Sequence, residues 1–409
     1  MQGEITVKGF KNSATPIIAA TILTKRPCLL HNIPRIGDVF KLLEILKSIG
    51  SKQKWVSENS LEIINDNLNP ENLNQELVSE IRSSILLVGP LLARFRKIKI
   101  ITPGGCRIGS RPIDTHLEAL KDLGAEVALD KESGIYEIKL DHLKNKKVYL
   151  KEFSVTATEN LLMLGFKEPL AIHLAAIEPH VWDLIGFLRK LGAGIDYSNN
   201  SFSIRSGKEL PGGEAEYFII NDPIEAGTLA VLAGATKSRI DIHGVEEKHL
   251  EAPLRKLREF GVNFKIKGKT LSVDGLNSDL RSATVKTYLY PGLPTDLQAP
   301  FGVLATQAHG TSLIFDTLYE GRLKYIDELK KMGAEAVILD SHRALITGPA
   351  VLRGAKIESL DLRAGATLII AALAAEGETE LGGIEQIDRG YENLDGRLRN
   401  LGADIQRVN

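Results

Sequence analysis

Apolar residues along this chain fall into two alternating helical patterns. The first is apolar on nearly every side and rich in small residues, as in "SATPIIAATIL", "RSSILLVGPLLARF", "IEAGTLAVLAGA" and "AGATLIIAALAAEG". A helix without a polar face has nowhere to meet water, so these segments are expected to be buried. The second is amphipathic, with leucines three apart, and closes on a phrase near L-x-x-L-G-A. That phrase occurs six times, as "LKSIGS", "LKDLGA", "LRKLGA", "LREFGV", "LKKMGA" and "LRNLGA". Its glycines, Gly50, Gly124, Gly192, Gly261, Gly333 and Gly402, recur every 68–74 residues. Lys or Arg stands in each last turn, where a cation suits the negative end of the helix dipole. The glycine then reads as a left-handed cap. A strand is expected after it ("AEVALD", "AGIDYS", "AEAVILD", "ADIQRV"), usually followed by a second ("IYEIKL", "SFSIRS", "ALITGP").

The repeating unit is therefore strand, buried helix, strand, amphipathic helix, strand, strand, six times over, and the fold class is α/β. The sixth unit stops soon after one strand, while "GEITVKG" at the start is a spare one. The simplest pairing adds that spare strand to the C-terminal half. Two domains of three units each follow, one over 12–220 and one joining 1–11 to 221–409. Two crossings join them, near Lys11–Asn12 and Asn221–Asp222, and the cleft between domains is the expected site.

Composition narrows the partners. The net charge of −1 over 409 residues gives no general field for nucleic acid or an anionic membrane. Neither nucleic acid nor membrane is expected as a partner. No apolar run reaches the length of a membrane span. The start shows no signal-like apolar core. Cys28 and Cys106 are the only cysteines, which suits a reducing compartment, so a cytoplasmic location is expected. Cys28, in "CLLHNI", reads as core. The nine histidines show no metal-binding spacing.

Candidate chemistry gathers where helices begin. Lys11–Asn12 in "GFKNSATP" is either a solvated loop with Asn12 or Ser13 as helix cap, or a cation and an amide facing an anion. Arg82 opens a buried helix, where a cation opposes the dipole and is more natural as a ligand contact. "TPGGCRIGSRPID" follows a strand and resembles a phosphate loop with Ser and cation exchanged, so a nucleoside triphosphate is not implied. Its glycines and the helix start near Pro112 would still aim N–H groups and Arg111 at an anion. Cys106, between Arg107 and Arg111, would sit in positive potential, which eases thiolate formation. Asp114 lies in the first helical turn, where capping is the alternative. In the second half, "YPGLPTDLQAP" presents Asp296 as cap or base, and "YEGRLKY" offers Glu320 and Arg322. "DLRAGATL" offers Asp361 and Arg363, and "IDRGYENL" offers Arg389. Five arginines (82, 111, 322, 363 and 389) at corresponding corners would converge on a multiply charged anion.

"GFKNSATP", "PGGCRIGSRPID", "YPGLPTDLQAP", "DLRAGATL" and "IDRGYENL" together resemble the enolpyruvyl transferases, and among them those acting on UDP-N-acetylglucosamine. The likeness runs in order over nearly the whole chain. It implies a two-domain inside-out α/β barrel and the first committed step of peptidoglycan synthesis. The enolpyruvyl group of phosphoenolpyruvate would move to the 3-hydroxyl of UDP-N-acetylglucosamine, releasing phosphate. No metal or organic cofactor is implied.

Residue by residue, the resemblance assigns Cys106 as the acid that protonates the methylene carbon and Asp296 as the base on the sugar hydroxyl. Lys11 and Arg389 complete the catalytic set, and Asn12 neighbours the phosphoenolpyruvate contact. Arg82 and the run Arg111, Pro112, Ile113, Asp114 and Thr115 match the nucleotide-sugar region, and Ser154 and Val155 a nucleotide contact. Arg322, Arg363 and Arg389 match anion clamps, with Asp361 a nearby carboxylate and Leu318 a further substrate-binding position. Four positions depart from the usual pattern. Phe10 stands for an alanine, Thr156 for a glycine, and Ile177 and His180 for charged residues. The competing readings are enolpyruvyl transfer to another acceptor and a non-catalytic sugar-nucleotide sensor.

Overall fold

The computed structural model describes residues 1–104, 112–207 and 213–408. They form an α/β fold in two compact units. Among the described residues, one unit holds 9–104, 112–207 and 213–220, and the other holds 1–8 and 221–408.

The small-residue helices are buried as their composition dictates. In the helix Lys11–Ala20 every residue from Ser13 to Ala20 is buried, and in Pro223–Ala235 every residue from Ile224 on. The helices Gln298–Gln307 and Leu362–Ala374 are likewise nearly all buried. The segment expected as one helix over 82–95 is two pieces, a 3-10 turn Arg82–Leu87 and an α-helix Val88–Phe95. Pro90 explains the break, because its ring would strike the carbonyl of Leu86 in a continuous α-helix.

The amphipathic helices end as the glycine repeat requires. Gly50, Gly124, Gly192, Gly261, Gly333 and Gly402 all have positive φ, between 78° and 109°. These angles cost a residue with a Cβ about 1 kcal/mol or more.

Four sheets share one arrangement. A central strand pairs parallel to an incoming strand on one side and antiparallel to a hairpin on the other. In the first unit the central strands are Cys28–His31 and Leu170–His173, with Ala215–Phe218 and Lys147–Tyr149 as the parallel partners. In the second they are Arg239–His243, beside Gln2–Thr6, and Gly310–Phe315, beside Val285–Lys286. The N-terminal strand is therefore built into the sheet of the second unit, where Arg397 also donates to Thr6 O at 2.7 Å. Among the described residues, two smaller sheets, of three and two strands, complete the set.

Three of these central strands end in a histidine that braces the hairpin. His31, His173 and His243 bond through Nδ1 to Ser60, Ser201 and Thr270 on the paired strand, at 2.9, 2.8 and 3.0 Å. The next residue turns left-handed each time, at Asn32, Leu174 and Gly244. These histidines are structural repeats rather than ligands-in-waiting.

One expected strand is absent. "ADIQRV", over 403–408, joins no sheet. It is held by side chains instead. Arg399 Nε donates to Ile405 O at 3.1 Å, and Arg407 forms ion pairs with Asp388 and Asp395 at 2.8 and 2.9 Å.

Two repeat glycines should respond differently to the same change. A Cβ on Gly261 would lie 2.0 Å from Asp279 O, whereas Gly402 has nothing within 4 Å. Gly402→Ala should cost about 1 kcal/mol from φ alone, and Gly261→Ala clearly more, because backbone must move. Denaturant midpoints check this, and equal losses would contradict it.

Candidate active site

The second unit gathers three of the expected residues around one carboxylate. Pro294 leads into a 3-10 turn, Thr295–Leu297, that carries Asp296 just before the helix Gln298–Gln307. Asp296 Oδ1 meets Arg322 Nη1 at 2.6 Å, and its Oδ2 accepts from Arg363 Nε at 3.3 Å. Arg363 Nη2 also lies 3.8 Å from Asp222 Oδ2, and the guanidinium stands 5.3 Å from the Tyr391 ring centre. Arg322 is placed similarly over Tyr319, at 5.2 Å. Arg363 is 5% exposed, and the Arg322 side chain 12%.

The electrostatics follow from that burial. Desolvation works against the charge of Arg322, but Asp296, Asp361 and Asp316 outweigh it and hold its pKa above the ordinary value. Arg363 is likewise opposed by burial and held charged by Tyr391, Asp296 and Asp222. Two donors are left over. Arg322 Nε and Arg363 Nη1 are buried and have no hydrogen-bond partner among the described residues. A buried unpaired donor costs about 1–3 kcal/mol, more when charged. Such an arrangement suits an anion that supplies the missing acceptors.

The neighbours are built by capping. Asp361 is the N-cap of the helix Leu362–Ala374 and accepts from the backbone N–H groups of Arg363 and Ala364 at 2.8 and 2.9 Å. Leu318 N–H donates to Asp316 Oδ1 at 2.9 Å. Asp316 is fully buried and also bonds Tyr319 N–H and the hydroxyls of Thr287 and Thr295. It thereby ties the loop bearing Leu318 to the turn bearing Asp296. Arg389 ends the short helix Glu385–Asp388 and donates to Gln386 Oε1 at 3.2 Å.

The first unit brings together three separated segments. Lys11 is the first residue of its helix, and its ammonium meets Asp38 Oδ2 at 2.6 Å. The helix is entered through Phe10 with no side-chain cap, so neither Asn12 nor Ser13 is the cap. Arg82 opens its 3-10 turn and donates to Pro112 O at 3.2 Å. The next helix begins at Asp114, which stays exposed, while Ile113 and Thr115 are buried. Ile113 could therefore offer a ligand only its backbone. Thr115 donates to Glu152 Oε1 at 2.7 Å. Ser154 caps the helix Val155–Leu164 by accepting from Ala157 N–H at 3.4 Å. His116 Nε2 bonds the Thr156 hydroxyl at 3.0 Å, and burial together with the Arg82 charge lowers its pKa to about 3, so it is neutral. Residues 82, 112–116 and 152–156 thus form one neighbourhood. Cys106 and Arg111, expected there from sequence, lie outside the described residues, as does Arg107.

Sequence reasoning passed over Asp38, Asp222, Asp316, His116 and Tyr391. Asp222 carried a signal, since "NDPIEAG" has Asp before a buried helix just as "DLRAG" has. It caps its helix at Ile224 and Glu225, and burial, with Glu225 adding to it, raises its pKa to about 6 against the pull of Arg363. The other four carry no distinguishing pattern. Among the described residues no group of three or more His, Cys, Asp or Glu side chains is placed to hold a metal. Nor is any helix among them long and apolar enough to cross a membrane.

The family model for EPSP synthase (3-phosphoshikimate 1-carboxyvinyltransferase) matches residues 1–398. UDP-N-acetylglucosamine 1-carboxyvinyltransferase 1 of Carboxydothermus hydrogenoformans is 44% identical over 412 residues, covering 100% of this chain and 96% of that one. The protein of the same name from Clostridium acetobutylicum is 43% identical, covering 100% and 97%. Among solved structures, the enolpyruvyl transferase NikO from Streptomyces tendae superposes with a TM-score of 0.88 at 24% identity, covering 99% of this chain and 95% of that one. EPSP synthase from Acinetobacter baumannii superposes with a TM-score of 0.73 at 18% identity, covering 99% and 96%. These two structural likenesses speak for the fold.

Two measurements probe the local chemistry. Cys28 is fully buried, and burial pushes its thiol up to about 12 despite Arg26. An alkylating reagent near neutral pH should leave Cys28 of the native chain unmodified in peptide mass maps; rapid labelling there would contradict this burial. Asp222 has a folded pKa above its unfolded one, so its contribution to stability is complete below about pH 4 and is lost as pH rises through about 6. Asp222→Asn should flatten the fall in stability across that window by up to about 3 kcal/mol, read from urea midpoints. A slope equal to wild type would contradict the shift.

Proposed function

Because the chain belongs to the UDP-N-acetylglucosamine 1-carboxyvinyltransferases, within the enolpyruvyl transferase family, we propose that it is the transferase moving the enolpyruvyl group of phosphoenolpyruvate to the 3-hydroxyl of UDP-N-acetylglucosamine. Phosphate leaves, and the product enters peptidoglycan synthesis. The finer architecture proposed is the inside-out barrel of six units, three per domain, with domains over 12–220 and over 1–11 plus 221–409.

The observation that carries the site assignment is the pair of buried guanidiniums sharing Asp296, each with a donor left unpaired among the described residues. Phosphoenolpyruvate brings a phosphate and a carboxylate, and so offers many acceptors. Arg322, Arg363, Arg389 and Lys11 are the cations we assign to it, with Asn12, Leu318 and Asp361 beside them. A guanidinium fork fits either anion through paired N–H bonds. Arg82, residues 111–115, Ser154 and Val155 take the nucleotide sugar, on the uncapped N–H groups of a helix start and on cationic side chains.

The chemistry needs an acid and a base on separate residues. Asp296 accepts the proton of the 3-hydroxyl as its oxygen bonds to C2 of phosphoenolpyruvate. Cys106 delivers a proton to C3, and the C2–C3 double bond becomes the tetrahedral ketal. The C2–O bond to phosphate then breaks as the Cys106 thiolate takes a proton back from C3, which restores the double bond, and the proton held by Asp296 leaves with the phosphate. Arg322 and Arg363 each lie against one oxygen of Asp296 and so orient its carboxylate. Once Asp296 is protonated the two cations face the substrate anion with one fewer competitor.

Phosphate release should require both substrates together. Asp296→Asn keeps the shape but removes the base, so kcat should fall by about 10²–10⁴. Cys106→Ser should lose most activity and any mass adduct with phosphoenolpyruvate. No phosphate release by folded wild-type chain would overturn the reading, and near-normal turnover of Asp296→Asn would remove that residue from its role.

A further inference from the structure

We propose that His180 and Asp183, one turn apart on the helix Pro179–Lys190, are positioning residues for Lys11, an inference that rests on the enolpyruvyl-transfer reading. The place of the Lys11 ammonium depends on where its helix starts, and that helix has no side-chain cap and no acid in its first turn. The start is held from outside. The Phe10 carbonyl opens the helix by accepting from Ser13 and Ala14 N–H at 3.0 and 2.9 Å. Phe10 N–H in turn donates to Ile220 O at 2.8 Å, and Ile220 N–H donates to Asp183 Oδ2 at 3.1 Å. The other oxygen of Asp183 accepts from the Tyr217 hydroxyl at 2.8 Å. One buried carboxylate therefore fixes the 217–220 segment, and that segment fixes the Phe10 backbone.

The Phe10 side chain is held by the same helix. Its ring is 2% exposed and meets the His180 ring edge to face, with centroids 5.2 Å apart and planes at 90°. Gly9 lets the chain pass at this point, because a Cβ there would lie 1.7 Å from Asn32 O. Backbone and ring together define the first turn, and Lys11 follows at once to meet Asp38.

The test is steady-state phosphate release with phosphoenolpyruvate and UDP-N-acetylglucosamine as probes. His180→Ala and Asp183→Asn should each raise KM for phosphoenolpyruvate about tenfold, with kcat changed less than about threefold. KM for the sugar nucleotide should stay at its wild-type value. His180→Phe keeps a ring against Phe10 and should retain wild-type KM. Folded variants with unchanged KM for phosphoenolpyruvate, or equal loss in His180→Phe and His180→Ala, would overturn the proposal. If the wild-type chain shows no turnover, the enolpyruvyl reading fails separately. The anchoring is then read by amide exchange at Ser13 and Ala14, which Asp183→Asn should speed about tenfold and which unchanged exchange would refute.

Discussion

The site depends on one carboxylate shared by two buried guanidiniums. Burial disfavours both charges, and Asp296 pairs directly with both arginines to offset it, helped by Asp361 and Asp316 at Arg322 and by Tyr391 and Asp222 at Arg363. Asp296 in turn is placed by a proline-led turn, and that turn is bonded to the fully buried Asp316. Among the described residues the cluster satisfies most of its own hydrogen bonds and leaves a donor on each arginine unpaired. A purely structural ion pair would be expected to close completely. The remainder is what a substrate with two anionic groups can complete.

The scaffold explains why such a cluster is tolerated. Helices Pro223–Ala235, Gln298–Gln307 and Leu362–Ala374 are small-residue helices packed against one another, and their N-terminal ends carry Asp222, Asp296 and Asp361. Each acid stands at or just before a helix start, where it suits the dipole. Asp222 and Asp361 cap their helices, whereas Asp296 caps none and pairs with the two arginines. In the first unit the corresponding starts carry Lys11, Arg82 and Ser154, and there the fold leaves helix N–H groups to be met by something other than an acid.

Much of this could be read from the chain before any coordinates. Six glycines at one spacing foretold six left-handed helix ends, and all six have positive φ. Asp296, Arg322 and Arg363 were singled out as residues of one site and do meet, although Asp296 and Arg363 are 67 positions apart. What stayed hidden has physical causes. Asp38, Asp316 and His116 look in sequence like ordinary loop or first-turn residues, and only tertiary packing buries them beside charges. Pro90 split a helix whose apolar pattern ran on unbroken. "ADIQRV" alternates like a strand, yet side-chain ion pairs hold it where no ladder forms. Asp361 and Ser154, which the sequence marks only as binding positions, cap their helices.

The central claim is that Arg322 Nε and Arg363 Nη1 are the open donors of an anion site. The most direct measurement is a crystal structure of the chain with phosphoenolpyruvate and UDP-N-acetylglucosamine bound. The account predicts an anionic substrate oxygen within hydrogen-bonding distance of each of these two nitrogens, with Asp296 still against both arginines or against the sugar hydroxyl. Substrate bound elsewhere, with both nitrogens still unpaired, would contradict it.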